Sequence, residues 1–258
     1  METQSSPPRQ APAHRRILGV NFFVGEAAEA VEVGCRGGLV VVPAAPALME
    51  LQRDPSYRQA LLEADLAIPD SGFMVLLWNL LMRDGIRRIS GLEYLELLLR
   101  RAELRQPGLA VWVMPSDTAK HRALGWLHDR HYRVEPDDFY IAPRYHAGAI
   151  SDPQLVEIIR SRRPRHVIVG IGGGTQEKLG LYLKRACDPV PSIHCVGAAV
   201  GFLSGDQVRI PVWADRWVLG WLFRCASNPG RFLPRYIRAF KLAVVIWRYR
   251  ARLPDIAA

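Results

Sequence analysis

Three short stretches hold the residue types that could do chemistry. The first is His166-Val-Ile-Val-Gly-Ile-Gly-Gly-Gly-Thr-Gln-Glu-Lys178. An apolar, β-branched run ends in glycines, and a helical pattern starts at once with Thr175 as its N-cap. A strand, a glycine turn and a helix start aim backbone N–H groups at one point, which suits an anion and most often a phosphate. Gly172, Gly173 and Gly174 form the turn, and Gln176 and Glu177 add polar side chains on the first helical turn. A tight turn with no ligand is the plainer reading. The second stretch is Pro69-Asp70-Ser71-Gly72, just before the apolar run Phe73–Met82. Asp70 there is either an N-cap or a general base that takes a proton from an attacking hydroxyl. The third is Arg88-Ile-Ser-Gly91. An arginine before a turn and a helix start either grips a phosphate or stays solvated.

Missing patterns narrow the chemistry. There is no G-x-x-x-x-G-K-[ST] phosphate loop. A dinucleotide site needs an acid about 20 residues beyond its glycines to hold the ribose. Here the next acid after Glu177 is Asp188, on the wrong side of a helix. No D-x-D, G-x-S-x-G or H-E-x-x-H is present. The four cysteines form no C-x-x-C pair, and no histidines pair convincingly at ligand spacing. Reduced, mostly buried thiols fit a cytosolic compartment. These features lead us to expect no metal site and no cofactor.

The elements that must position these residues alternate. Strands are expected at Ile17–Phe22, Gly38–Pro43, Leu66–Ile68, Leu109–Met114, His166–Ile171 and Ile193–Val196. Helical patterns fall at Gly25–Cys35, Ser56–Ala64, Gly91–Leu104, Ser116 to about Arg130, Asp152–Arg162 and Gln176–Cys187. Phe73–Met82 is apolar on nearly all sides and reads as a buried helix. Asp137-Asp138 read as a solvated loop. This order implies an α/β fold: a mainly parallel, Rossmann-like sheet with helices on both faces. Such sheets bind ligands at the carboxyl ends of strands, where Asp70 and the glycine turn both fall.

Charge divides the chain. The 258 residues hold 34 Lys and Arg against 25 Asp and Glu, a net charge of +9. The whole excess lies between Arg216 and Arg252, a segment without Asp or Glu. A local anionic partner is implied, and nucleic acid is not expected because the rest of the chain is neutral and lacks a recognition motif. Leu233, Tyr236, Ile237, Phe240, Val244 and Trp247 fall on one face of a helix, with Arg231, Arg235, Arg238, Lys241 and Arg248 on the other. A basic amphipathic helix with Trp and Tyr suits the surface of an anionic membrane. It equally suits a helix packed on its own domain. No apolar run reaches the roughly 18–20 residues that span a bilayer. Three parts are expected: a polar tail over 1–16, an α/β domain over 17–205, and a helical, basic C-terminal appendage over 206–258.

These pieces occur together and in order in one family. The chain resembles the WecG/TagA/CpsF glycosyltransferases from about Ile17 to Arg238. The markers are Arg53-Asp54-Pro55, Ala64-Asp-Leu-Ala-Ile-Pro-Asp70, Arg88-Ile-Ser-Gly91 and Val169-Gly-Ile-Gly-Gly-Gly-Thr-Gln-Glu177. Phe202-Leu-Ser-Gly205, Arg209-Ile-Pro211, Gly220-Trp-Leu-Phe-Arg224 and Arg235-Tyr236 follow. The resemblance implies an inverting, metal-independent transferase. It would move an N-acetylhexosamine, typically N-acetylmannosamine, from a UDP-sugar to a polyprenyl-diphosphate-linked sugar for a cell-surface polysaccharide. Asp70 would be the base. Arg88, Gly172, Gly173, Gly174, Gln176 and Glu177 would hold the substrates, and Arg224, Arg231 and Arg235 would close over the site from the appendage. The resemblance also implies a peripheral position on the inner face of the plasma membrane, and family relatives can self-associate. The chain departs from the family at Val42 and Ala44, where a Thr-x-Asn signature usually stands, and at Gly174 and Thr175. A non-catalytic nucleotide-sugar or lipid-diphosphate binding protein on the same fold is the alternative.

Overall fold

The β-branched runs pair into one eight-stranded sheet in a computed structural model that describes residues 13–146, 148–205, 226 and 229–256. In chain order the first elements are β1 (Ala13–Ile17), β2 (Val20–Val24), α1 (Ala27–Gly34), β3 (Gly38–Val41), α2 (Ala45–Leu48), α3 (Pro55–Leu62), β4 (Leu66–Ala67) and α4 (Gly72–Met82). Next come α5 (Gly91–Leu99), β5 (Ala110–Met114), α6 (Asp117–His128), β6 (Phe139–Ile141), α7 (Pro153–Arg162) and β7 (His166–Val169). The last are α8 (Thr175–Ala186), β8 (Ser192–Cys195), α9 (Ala199–Ser204) and α10 (Pro229–Tyr249). The strand order is β1-β2-β4-β3-β8-β7-β5-β6. Every pairing is parallel except the β1–β2 hairpin. The α/β architecture with a mainly parallel sheet is the one expected.

Alternation along each strand builds a core on both faces. Leu39 and Val41 of β3 point into one core, and Val40 and Val42 into the other. Val111 and Val113 of β5 likewise oppose Trp112 and Met114. Polar capping residues start several helices. Asp54, Ser71, Ser90, Ser116 and Asp152 each accept a backbone N–H of the first turn they precede. Helix α8 lies close on the sheet because Gly180 has no side chain. A Cβ there would stand 2.5 Å from Leu39 and 2.8 Å from Cys195.

Several expectations change. The first strand is a hairpin, β1–β2, turning at Leu18 and Gly19, both with positive φ. Residues 13–16, placed in the polar tail by sequence, form most of β1. A short strand, β6, was not foreseen. Asp138 is buried rather than solvated, because it accepts the Glu135 N–H and faces Arg162. Helix α4 is not buried all round. Met74, Val75 and Trp78 face the core, while Leu76 and Leu80 are open to solvent. Apolar composition on every side gives no phase from which a buried face can be read.

The C-terminal helix joins the main core. Leu242 and Ile246 of α10 are fully buried there, while Ile237, Phe240, Val244 and Trp247 are exposed. So these four residues of the apolar face drawn from sequence look outward, and α10 docks through a neighbouring face. No helix among the described residues is long and apolar enough to cross a membrane.

Candidate active site

Four neighbouring strands, β4, β3, β8 and β7, present their carboxyl ends to one cleft of about 1430 Å³. The loop after β4 carries Asp70, and the loop after β3 carries Val42 and Ala44. Gly197 follows β8, and Gly172 and Gly173 follow β7. In an open parallel sheet this edge is where strands stop donating to each other and backbone groups become available to a ligand.

Asp70 is not an N-cap of α4. Ser71 fills that role by accepting the Met74 N–H at 3.2 Å. The Asp70 carboxylate instead turns to the N-terminus of α5, where its Oδ1 accepts the Gly91 N–H at 3.0 Å. The positive end of that helix favours the charge. Arg88 grips the same residue twice, donating from Nε to the Asp70 carbonyl at 2.7 Å and from a terminal nitrogen to Oδ1 at 3.5 Å. The side chains of Asp70 and Arg88 are 21% and 22% exposed, so both reach the cleft while held by protein. Oδ2 makes no hydrogen bond among the described residues. A carboxylate fixed through one oxygen and open at the other is arranged to accept a proton from an incoming hydroxyl.

The glycine turn lies across the cleft. Its N-cap is Gly174, with φ of 91°, and not Thr175, which is the first helical residue. No L side chain sits comfortably at that φ. Gly174 does not line the cleft; Gly172 and Gly173 do, and a Cβ on either would meet nothing within 4 Å. Their N–H groups have no partner among the described residues. Two bare amides beside a helix N-terminus form an anion cradle.

Gln176 and Glu177 are both buried at the cleft's edge. Glu177 folds back on its own turn. It accepts the Gly174 N–H at 2.7 Å and the Gln176 Nε2–H at 3.1 Å, so it shapes the turn. Burial pushes its pKa up, against the hydrogen bonds from Gln176 and the backbone. Gln176 Nε2 also donates to the Cys195 carbonyl at 3.2 Å. Both neighbours of Nε2 are acceptors, which fixes the amide's orientation. Its Oε1 is left buried with no hydrogen-bond partner. An orphaned buried acceptor costs about 1–3 kcal/mol, and a ligand donor would relieve it.

Sequence reasoning did not foresee the other wall. His121, Arg122, Trp126 and Arg130 on or just after α6 line the same cleft, with the Arg130 guanidinium 4.2 Å from the centre of the Trp126 ring. The i, i+4, i+8 spacing of Arg122, Trp126 and Arg130 puts them on one face and was the available signal. Arg224 lies outside the described residues, and Arg231 and Arg235 are on α10 with side chains outside them.

A sequence model described as the glycosyl transferase WecG/TagA/CpsF family matches residues 15–255. The chain is also similar to a protein of Bacillus spizizenii named N-acetylglucosaminyldiphosphoundecaprenol N-acetyl-beta-D-mannosaminyltransferase. The two are 26% identical over 213 residues, which cover 78% of each chain.

Proposed function

The chain belongs to the WecG/TagA/CpsF family and is a glycosyltransferase, and from that premise we propose the reaction it performs. It transfers an N-acetylhexosamine of the N-acetylmannosamine type from a UDP-sugar to a sugar linked to polyprenyl diphosphate. The acceptor hydroxyl gives its proton to Asp70 as its oxygen attacks the anomeric carbon. The bond from that carbon to the β-phosphate oxygen breaks, UDP leaves, and a single displacement inverts the configuration. Backbone amides at Gly172 and Gly173, with cations of the cleft, stabilise the charge that grows on the leaving diphosphate. The enzyme needs neither a cofactor nor a metal. The name of the Bacillus relative supports the acceptor and sugar class. Membership of a transferase family displaces the non-catalytic alternative.

The observation that carries the reading is the Asp70 carboxylate. One of its oxygens is fixed at the α5 N-terminus, and the other stands open on the cleft shared with the bare amides of the glycine turn. Asp70→Asn keeps the shape and removes the basicity. Turnover should fall about 10²–10⁴-fold with unfolding temperature unchanged. Undiminished transfer by this variant would remove Asp70 as the base.

The reading extends to location. α10 shows Ile237, Phe240, Val244 and Trp247 to solvent, in a stretch from Arg216 to Arg252 that has nine bases and no acid. We place the enzyme on the inner face of the plasma membrane, held at the lipid surface by this helix.

A further inference from the structure

We propose that α4 is a second lipid-contacting helix, so that α4 and α10 together form one docking face for an anionic bilayer. The proposal rests on the glycosyl-transfer reading and adds an element to it. On α4, Leu76 and Leu80 are 64% and 74% exposed, and Leu81 and Met82 extend the patch. On α10, Phe240 and Trp247 are 58% and 64% exposed, beside Ile237 and Val244. The two helices touch. The rings of Phe73 and Phe240 meet edge to face with centroids 5.4 Å apart, so the exposed stripes lie on neighbouring elements. Clustered large apolar side chains of this kind mark an interaction surface.

Charge selects the occupant. Arg83, Lys241 and Arg248 are exposed at the borders of the two helices. Arg83 and Lys241 make no ion pair among the described residues. The nearby acid, Asp84, is already taken by Arg15 at 2.6 Å and by the Trp78 indole at 2.9 Å. An apolar centre with a cationic border matches hydrocarbon beneath anionic headgroups. Two copies of this face would instead bring the like charges of Arg83, Lys241 and Arg248 together.

The position of α4 gives the face a purpose. The helix starts at Gly72, two residues after Asp70, and its 11 residues make it about 16 Å long. It therefore connects the proposed base directly to the lipid-seated leucines. A diphosphate-linked sugar standing on the bilayer would reach the cleft without its lipid leaving the membrane.

The test uses the full chain and vesicles of phosphatidylglycerol with phosphatidylcholine. Leu76→Gln with Leu80→Gln leaves the buried face of α4 intact, so its unfolding temperature should match that of the parent. Co-flotation with the vesicles should fall at least tenfold. A Leu80→Trp variant made in a Trp247→Phe background supplies a readout that needs no loss of binding, because brominated lipid should quench the fluorescence it adds over Trp247→Phe alone. Flotation equal to the parent, or an unquenched Trp, overturns the proposal. So does a drop in solution mass on the double substitution with flotation unchanged, since the face would then join copies of the chain. Turnover of the Asp70→Asn protein on a detergent-solubilised acceptor tests the chemistry separately. Failure of the docking face can thus be told from failure of the reaction assigned to the cleft.

Discussion

Gln176 shows how a side chain expected at a site can be held in an unexpected way. Its amide nitrogen is committed to Glu177 and to the Cys195 carbonyl, and only its oxygen remains to meet a ligand. Gln176→Ala should raise the donor KM about tenfold and change kcat less, the pattern of a lost binding contact. Steady-state kinetics checks this, and a kcat loss larger than the KM change would move Gln176 from binding to chemistry. The types and spacing of Asp70, Arg88, Gly172 and Gly173 were legible in the sequence, and the structure brings them to one cleft. The partner of each was not. Asp70 meets Gly91 and Arg88 across a loop, and Glu177 serves its own turn. Such pairings depend on side-chain directions that spacing alone does not give.

Two elements are tied by a residue pair that the family resemblance marked without explaining. Asp54 caps α3 by accepting the Tyr57 N–H at 3.0 Å and also receives Lys178 of α8 at 2.8 Å. Burial raises its pKa, but the Lys178 and Tyr57 hydrogen bonds outweigh that and hold the carboxyl below its ordinary value. Its contribution to stability is therefore full above the unfolded carboxyl pKa and is lost as pH falls through the folded one. Asp54→Ala should cost about 1 kcal/mol at neutral pH, measured by denaturant unfolding, and less in acid. A second interior pair works on β7 and β8. His166 Nδ1 and His194 Nε2 lie 3.1 Å apart, and the Tyr94 hydroxyl is 2.9 Å from His194 Nδ1. Burial lowers both imidazole pKa values, that of His166 to about 4. The unfolded chain binds these protons near pH 6.5. The pair therefore makes stability fall as pH drops from about 6.5 toward 4, and leaves it level above that. His166→Asn should flatten this part of the profile of unfolding temperature against pH. An unchanged slope would show that other groups set it. The strands and most helices were legible because their apolar periods were clean. The hairpin was hidden because Leu18 occupies a turn position with φ of 50°, where Asn or Gly would have announced it.

At the scale of the molecule, one sheet edge gathers the candidate site and one pair of helices carries most of the exposed large apolar side chains among the described residues. If amides and arginines hold the leaving diphosphate, transfer should proceed at full rate in excess EDTA. Loss of activity that magnesium restores would overturn metal independence. The sheet order was only partly legible, since sequence shows that strands alternate with helices and not which strand lies beside which. The placing of α10 was hidden for a similar reason. Its outer apolar face carries the stronger periodic signal, while Leu242 and Ile246, flanked by Val245 and Tyr249, seat it on the core.

The hairpin turn closes on the far end of the described chain. Leu18 N–H donates to the Arg250 carbonyl at 2.8 Å and Gly19 N–H to the Ala251 carbonyl at 3.2 Å. Leu253 packs on Gly19, and Arg58 holds the Pro254 carbonyl at 2.6 Å. A ribosome delivers residues 250–254 after every other part of that seam. The β1–β2 turn therefore stays without these partners until residues 250–254 have been made. The seam thus joins the β1–β2 hairpin to the end of α10 across more than 230 positions of sequence, and damage at either side should loosen both.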